Sequence, residues 1–349
     1  MTTMPVRIAV AGVGNCASVF IQGLHFYSGK DTHGLWHPTV AGLKARDIEV
    51  VAAFDVDQRK VGLPLSKAVF APPNVARRYV ELSRGGVRVS PGISKGDTPP
   101  SLRETKLSKA GRSEVSAQLE KAKADMLVNL ISSGSDASSE EYAFAALEAG
   151  CAFVNCTPSL MQKRGRLTAS FAKAKLPLAG DDLMSQFGGT VFHKGLLGLM
   201  VKRGIRMSKS YQLDVGGGSE TLNTIDETIK MAKREIKTGS VATEVPYPFE
   251  SVAGTTDFVD YMGNERTSYF WFLGSGFMNS AMSVDVYLRT SDGANAGNVL
   301  LDVVRATYRS LKTRKLGTMG EICAYGFKAP PQSMRFDEAY SKFAAVYVH

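Results

Sequence analysis

Residues 6–17 read V-R-I-A-V-A-G-V-G-N-C-A, and this stretch decides the fold. An apolar run of strand type leads into a glycine turn and then into a helical pattern that continues to about residue 26. The turn has the spacing G-x-G-x-x-A, whose glycines let the backbone approach a pyrophosphate at a helix N-terminus. We therefore predict a dinucleotide site, and its expected contacts are Gly12, Gly14, Asn15, Cys16 and Ala17.

The alternation of strands and helices continues beyond this unit and predicts a Rossmann-type, doubly wound parallel sheet of the α/β class. Further strand-like runs lie at residues 48–55, 126–131, 152–155 and 176–178, with a helical stretch at 140–149. After a helix at 186–202 the pattern changes to a strand at 207–215, a polar helix at 219–237, aromatic strands at 267–273 and 281–289, and a helix at 296–312. We predict a Rossmann domain of residues 1–203 and 311–349, and a second, antiparallel α+β domain of residues 204–310.

Two loops at strand ends add to the expected dinucleotide site. Asp55 ends the second strand, where a carboxylate accepts from ribose hydroxyls and favours NAD over NADP. Asp55 follows the glycines by more than the usual ~20 residues, and this longer spacing requires an insertion at residues 25–45 before the second strand. Ser132 and Ser133 follow the strand at 126–131, at the sheet edge where such folds bind ligands. The alternative is a buried turn in which the glycines serve packing alone.

Composition excludes several classes of protein. The chain has 349 residues, of which 44% are hydrophobic and 21% charged, as in ordinary globular proteins. The uncharged stretch 267–284 is too polar for a membrane span. Four cysteines without C-x-x-C spacing argue against a disulfide framework or a thiolate site, and indicate a cytoplasmic protein. The histidines show no spacing for a metal triad, so we predict no metal.

The net charge of +9 is concentrated between residues 77 and 123, which hold 11 basic and 5 acidic residues. Within that region the stretch 87–111 is rich in Gly, Pro, Ser and Thr, which predicts a long surface loop. The loop has no aromatic residue to stack on bases, so we expect no nucleic-acid partner. It is either solvated or placed over an anionic ligand.

Six short motifs in order resemble the myo-inositol-1-phosphate synthase family of the bacterial and archaeal type. They are V-G-N-C-A-S (13–18), A-A-F-D-V-D (52–57), A-F-V-N (152–155), A-G-D-D-L-x-S-Q (179–186), A-K-R-E-I-K-T (232–238) and A-Y-x-x-K-x-P-P (324–331). The resemblance implies an NAD-binding domain, a second domain for catalysis and tetramerisation, and cyclisation of the hexose phosphate glucose 6-phosphate. The aromatic strands between Tyr269 and Leu288 independently predict self-association.

The resemblance places catalytic cations at four positions. Two family lysines fall on Lys233 and Lys237, one helical turn apart, and a third falls on Lys328. The fourth aligns approximately with Arg266, which keeps the charge but cannot transfer a proton. Such cations suit a reaction in which several oxygens develop negative charge. Without the resemblance, Lys233 and Lys237 read as a solvated helix face.

The segment 179–186 and the nearby Gly188 supply the remaining matched positions. We expect Asp181 to contact the cofactor and Asp182 to take part in catalysis, although both also suit caps of the following helix. At the start of that helix, backbone amides with Ser185, Gln186 and Gly188 are expected to hold the sugar phosphate.

Three departures from the family pattern bear on the substrate. Met184 stands where the family has lysine, and Gly218 and Glu220 stand in an altered G-G-N-x-D segment; we expect all three beside the sugar. The later W-D-S segment is also altered, around Asp292. These changes keep alternatives open: fructose 6-phosphate closing to a five-membered cyclitol phosphate, a catalytically silent NAD-binding sensor or scaffold, and a simple dehydrogenase.

Overall fold

A sheet of seven parallel strands organises the part of the chain that the structure describes, residues 5–83, 85–314 and 317–348 of a computed structural model. The strands are β1 Val6–Ala11, β2 Ile48–Asp55, β3 Val89–Pro91, β4 Met126–Asn129, β5 Ala152–Asn155, β6 Pro177–Ala179 and β11 Gly317–Thr318. Their order is β11-β6-β5-β4-β1-β2-β3, and the six strands from β3 to β6 follow the Rossmann order. The predicted fold class is confirmed.

Helices cover both faces of this sheet, which explains why its strands are largely apolar. They are α1 Asn15–Phe26, α2 Leu65–Ala68, α3 Arg112–Lys121, α4 Asp136–Glu148, α5 Gly165–Ala174, α9 Asp292–Lys312, α10 Gly320–Gly326 and α11 Phe336–Tyr347. Ile8 and Val10 of β1 pack with α1, α9, α10 and α11, whereas Ala9 and Ala11 pack with α3 and α4. Among the described helices, none is both long and apolar enough to cross a lipid bilayer.

The predicted insertion at residues 25–45 lies between α1 and β2. Its Trp36 ring stacks on Tyr340 at 5.7 Å and lies 5.0 Å from the ring of Tyr325. These contacts hold the insertion against α10 and α11.

The basic segment 87–111 is more ordered than the predicted surface loop. It contains β3, and its Ile93 is buried and donates from the backbone N to the Tyr142 hydroxyl at 2.8 Å. Ser101 N donates to Asn223 Oδ1 at 2.9 Å, which ties the segment to the second half of the chain. Most of the segment is the predicted irregular surface loop, and β3 was missed because a three-residue strand is too short to produce a periodic pattern.

The second part of the chain folds around a four-stranded sheet. Its elements are α6 Gly189–Lys202, β7 Arg206–Gly216, α7 Ser219–Leu222, α8 Glu227–Ala242, β8 Glu250–Phe258, β9 Glu265–Ser275 and β10 Ala281–Ser291. The strand order is β10-β9-β7-β8, with β7 and β8 parallel. The expected antiparallel sheet is thus a mixed one, because α8 forms a crossover between β7 and β8.

The predicted polar helix at 219–237 is two helices, α7 and α8. Asp226 interrupts them: its Oδ1 accepts from Thr228 N at 3.0 Å and from Ile229 N at 3.3 Å. A side chain in this N-cap position starts a new helix, which then continues five residues beyond the predicted end.

The domain division at residues 203 and 311 stays a prediction, and two helices pack across it. Leu197 and Met200 of α6 join the core of the second sheet. Val299 and Val303 of α9 join the core of the first sheet. The two sheets are therefore joined by helices that contribute to both halves of the molecule.

Candidate functional site

A cavity of about 1230 Å³, part of it open to solvent, lies where the carboxyl ends of the parallel strands meet the second sheet. We call it the main cavity. A smaller one of about 690 Å³, the side cavity, shares Gly14, Leu130, Ile131 and Ser132 with it. The two therefore form a continuous groove at the sheet edge where open α/β folds bind ligands.

The glycine turn shapes the side cavity. Gly12 has a φ of +87°, and a Cβ there would lie 2.6 Å from the Leu130 carbonyl oxygen, so no larger residue fits. Gly14 is the N-cap of α1 and no side chain caps this helix. The first-turn N–H groups are therefore available to an anion such as a pyrophosphate.

Asp55 lies in the side cavity with its carboxylate already oriented. Its Oδ2 accepts from Val13 N at 2.7 Å, and its Oδ1 accepts from Asp57 N at 2.8 Å. Lys60 Nζ, 3.9 Å from Asp55 Oδ2, donates to the Val13 carbonyl at 2.9 Å. Since each carboxylate oxygen has a second lone pair, Asp55 can still accept from ribose hydroxyls. The residues present fit a dinucleotide.

Four cations and four carboxylates face one another at the main cavity. The pairs are Lys237 Nζ to Asp214 Oδ2, Lys328 Nζ to Asp182 Oδ1 and Arg266 Nη2 to Asp292 Oδ2, each at 2.7 Å, and Lys233 with Glu220. Lys233 and Lys237 are 5% and 3% exposed, so they do not form a solvated helix face. Each cation predicted from the motifs is therefore held against a carboxylate.

Asp214 is the most heavily engaged of these carboxylates. Besides Lys237, it accepts from Ser268 Oγ at 2.6 Å and from Gln212 Nε2 at 2.8 Å, and Arg266 Nη1 lies 3.7 Å away. Burial alone would raise the pKa of Asp214, but the charges of Lys237 and Arg266 outweigh it and hold the pKa well below its usual range. Asp214 is an anion at every ordinary pH.

The surroundings of Lys237 lower its pKa and so favour its neutral form. Burial lowers the pKa of Lys237; the charge of Asp214 opposes this effect, while Arg266, Lys233 and Lys328 lower the pKa further. A lysine with a lowered pKa gives up its proton more readily than one in water. Lys237 is therefore suited to proton transfer.

Three buried polar atoms at the main cavity have no hydrogen-bond partner among the described residues. They are Asp182 Oδ2, Arg266 Nε and Asn264 Nδ2. Buried polar groups are normally satisfied, so unsatisfied ones in a cavity indicate a bound molecule that supplies the partners.

The N-terminus of α6 forms another wall of the main cavity. Gly188 is its N-cap and no side chain caps the helix, while Ser185 and Thr190 line the cavity beside it. At Gly189 a Cβ would collide with Gln212 Nε2, so glycine is required for this close approach. Free N–H groups at a 14-residue helix suit a phosphate, as predicted.

Most of the predicted site residues line one of the two cavities: Lys233, Lys237, Lys328, Arg266, Asp182, Gly12, Gly14, Asn15, Cys16, Asp55, Ser132, Ser185, Gly188, Gly218 and Glu220. Two of them differ in detail from expectation. Asn15 uses its Oδ1 to accept from Val75 N and Ala76 N at 2.8 and 3.0 Å. Burial raises the pKa of Cys16 to about 12, so it remains a neutral thiol.

Three predicted cofactor residues lie outside both cavities. Ala17 is fully buried in the core, because one helical step turns it away from Cys16. Ser133 is held by Asn223 Nδ2, which donates to its hydroxyl at 3.3 Å. Asp181 accepts from Asn155 Nδ2 at 2.7 Å, and its burial raises the pKa to about 8. These residues support the groove without facing it.

Two predicted substrate residues also lie elsewhere. Met184 is 4% exposed and its N donates to the Gly326 carbonyl at 2.7 Å; Leu183 and Ser185 face the cavity instead. Gln186 accepts from Asn298 Nδ2 at 2.6 Å and lines a separate cavity between α1 and α9. Met184 thus does not line the main cavity, and a direct effect of its side chain on the sugar pocket stays a prediction without support from this geometry.

Asp214, Gln212 and Asn264 line the main cavity but were not predicted from the sequence as site residues. The signal for the first two is present in β7, where polar residues alternate on the face that packs inward. Asn264 has no comparable signal, because it lies in a turn before β9.

Within residues 5–83, 85–314 and 317–348 no group of three or more His, Cys, Asp or Glu residues is arranged to hold a metal ion.

The sequence profile of the family described as Myo-inositol-1-phosphate synthase matches residues 188–293. Two full-length relatives are named inositol-3-phosphate synthase. One, from Corynebacterium glutamicum, is 32% identical over 99% of both chains. The other, from Mycobacterium tuberculosis, is 33% identical over 96% of this chain and 93% of its own.

Solved structures show the same similarity. The crystal structure of a protein called Ari2 is 31% identical, with a TM-score of 0.80 over 98% of this chain and 99% of its own. A myo-inositol-1-phosphate synthase-related protein from Thermotoga maritima is 19% identical, with a TM-score of 0.82 over 98% of both chains. The second likeness concerns the fold alone.

Proposed function

The chain belongs to the myo-inositol-1-phosphate synthase family, and from this membership we propose that it is an isomerising cyclase that converts glucose 6-phosphate into an inositol phosphate with recycled NAD. The observation that carries the proposal is the main cavity itself. It joins four carboxylate-paired cations to a free helix N-terminus and to a groove of dinucleotide type.

The cofactor is assigned to the side cavity. Gly12 and Gly14 allow the pyrophosphate to approach α1, and Asp55 accepts from the ribose hydroxyls. When bound, NAD supplies a reversible two-electron oxidation of the C5 carbinol. Calorimetry should show NAD bound more tightly than NADP, and a tenfold preference for NADP, about 1.4 kcal/mol, would contradict the role of Asp55.

The substrate phosphate is assigned to the N-terminus of α6. Backbone N–H groups there, with the hydroxyls of Ser185 and Thr190, hold the dianion. A phosphate fixed at this helix end lies near the paired cations, because Gly189 approaches Asp214, the carboxylate that holds Lys237. Binding at one end thus orients the carbon atoms that react at the other.

The cations serve the carbon–carbon bond formation. A proton leaves C6, C6 bonds to C1, and the C1 oxygen takes up a proton, so substrate and product are isomers. Lys237 Nζ carries the proton, because its pKa is lowered and Asp214 keeps it in place. Arg266 Nε and Lys328 Nζ stabilise the oxygens that become negative.

Self-association is part of the proposal. β10 is an eleven-residue strand at the edge of its sheet, and the outer face beside it carries the rings of Tyr269, Trp271 and Tyr287. Long edges and exposed aromatic faces favour pairing with another chain. The family resemblance supplies the number, a homotetramer, and light scattering that gives a 37.6 kDa monomer at micromolar concentration would contradict it.

One incubation tests the proposed reaction. The protein is mixed with catalytic NAD and either glucose 6-phosphate or fructose 6-phosphate, and the product is examined by carbon NMR, with Lys237→Ala as the inactive control. We expect a six-membered inositol phosphate from glucose 6-phosphate. A five-membered product from fructose 6-phosphate, stoichiometric NADH, or binding without turnover would each contradict the proposal and indicate a different activity.

A further inference from the structure

A line of buried polar side chains leads from the main cavity into the second sheet. Ser210, Gln212 and Asp214 alternate along β7 and so share its inner face. His193 of α6 connects them: its Nδ1 lies 3.3 Å from Gln212 Oε1 and its Nε2 lies 2.9 Å from Ser210 Oγ. All four side chains are almost completely buried.

The direction of every hydrogen bond in this line follows from one group. Asp214 is ionised and can only accept, so Gln212 must turn its Nε2 towards it, at 2.8 and 3.0 Å from the two carboxylate oxygens. Gln212 Oε1 then faces His193, which must donate from Nδ1. The imidazole Nε2 is left with a lone pair and accepts from the Ser210 hydroxyl.

The surroundings of His193 agree with this neutral form. Burial lowers the pKa of His193 to about 4. Its ring meets Phe270 and Phe272 edge to face, with centroids 5.8 and 5.1 Å away, which prevents the ring from turning over. The tautomer and the ring orientation are thus both fixed by the fold.

We propose that His193 is a positioning residue for the cyclisation: by donating from Nδ1 it fixes the amide of Gln212, which in turn holds Asp214 in the place where Asp214 holds Lys237. The proposal rests on the proposed function for its effect on turnover. Without His193, the buried Oε1 of Gln212 loses its donor, and the amide can shift away from Asp214 to find another partner. Asp214 then loses the two contacts from Gln212 Nε2, so the carboxylate and the Lys237 that it holds are no longer fixed in position.

Two variants test the role in turnover. Leucine at this position, His193→Leu, removes the donor, and we expect kcat to fall about tenfold to a hundredfold, the usual result of a small displacement, with NAD affinity and the KM for glucose 6-phosphate unchanged. Asparagine, His193→Asn, places an amide nitrogen near the position of Nδ1 and should restore most of kcat. Ser251→Ala is the matched control, because Ser251 contacts Ser210 at 3.1 Å on the far side and leaves the Ser210 hydroxyl for His193.

The proposal is overturned if His193→Leu retains wild-type kcat, or if His193→Asn is as slow as His193→Leu at the same melting temperature. Imidazole ¹⁵N NMR of the wild-type protein tests the tautomer without reference to activity, and also if the leucine variant fails to fold. A neutral ring protonated at Nδ1 supports the proposal, whereas protonation at Nε2 contradicts it. Absence of cyclisation by the wild type would refute the proposed function and leave the NMR result to decide the hydrogen-bond direction.

Discussion

Two buried arginines, Arg305 and Arg266, show how the same side chain serves structure in one region and chemistry in another. Arg305 of α9 uses all five of its N–H groups: Nε donates to Leu301 O, Nη1 to Pro38 O and Leu43 O, and Nη2 to His37 O and Asp302 Oδ1. Arg266 of β9 bonds Asp292 through Nη2, and its buried Nε finds no hydrogen-bond partner within the described part of the chain.

The carboxylates beside them do not differ in this way. Asp302 accepts from His37 Nδ1 at 2.7 Å, from Tyr325 OH at 2.6 Å and from Arg305, and Asp214 is engaged just as fully. Between these two networks the difference therefore lies in the free donors of the cation, and not in the carboxylates Asp302 and Asp214. A cation with unused donors in a cavity can bind a ligand, whereas one with all donors used holds its own chain together.

The largest effect should come from the two lysines of the cavity. We expect Lys237→Ala and Lys328→Ala each to lower turnover about 10²–10⁴-fold, because one positioned proton-transfer or charge-stabilising group contributes that much. NAD affinity, measured by calorimetry, should stay nearly constant. Lys230→Ala on the same helix is the control, since Lys230 does not line the cavity. Turnover above a tenth of wild type in either alanine variant would make that lysine a supporting charge.

The next effect separates the two arginines directly. Arg305→Met should lower the free energy of unfolding by about 3–5 kcal/mol, since it leaves the Asp302 carboxylate buried without its cation. Arg266→Gln should instead lower kcat about 10²–10³-fold, the size expected for a lost oxyanion donor. Urea unfolding and steady-state kinetics of both variants measure the contrast. If both lose mainly stability, the distinction drawn from their free donors fails.

A smaller effect should appear in the pH dependence of stability. The pKa of Asp214 is lowered in the folded protein, so its stabilising contribution is present above its unfolded pKa of about 3.9 and is lost as the pH falls through the folded pKa. The difference in free energy of unfolding between wild type and Asp214→Asn should be constant from about pH 5 to about pH 8. It should shrink below about pH 4. The exposed Glu235→Gln serves as control, and a difference that grew on acidification would contradict the assignment.

The smallest effect should be that of Gln186→Ala. Gln186 lies outside the groove, so we expect kcat/KM to stay within about threefold and the stability to fall by roughly 1 kcal/mol through the lost hydrogen bond from Asn298. Ser185→Ala, one residue away but lining the main cavity, should raise the KM for the sugar phosphate. If Gln186→Ala raised the KM for the sugar phosphate as much as Ser185→Ala does, Gln186 would belong to the substrate site.

The sequence predicts local features well and side-chain direction poorly. Strand, glycine turn and helix are consecutive in residues 6–26, so the apolar pattern and the glycine spacing together predict the dinucleotide unit. Asp182, by contrast, has a φ of +59°, and of the three residues after it Leu183 and Ser185 line the cavity while Met184 does not. No spacing rule contains that information.

Hydrogen-bond and ion-pair partners that are distant in the chain could not be predicted from the sequence either. Lys237 was identified from its motif, but its carboxylate, Asp214, lies 23 residues earlier on a different element. Their pairing depends on how α8 packs against β8, the strand beside β7, and only the tertiary structure specifies that packing. The four cations and the carboxylates Asp182 and Glu220 could thus be named from the sequence, whereas Asp214 and the pairing of each cation with its carboxylate could not.

The open edge of β10 has a thermodynamic consequence. In the proposed assembly, part of the free energy that keeps each chain folded comes from the neighbouring copy. By mass action, the melting temperature should then rise with total protein concentration, and dilution should weaken the fold before any residue is changed. For such an assembly, each measured free energy of unfolding holds only at the protein concentration at which it was measured.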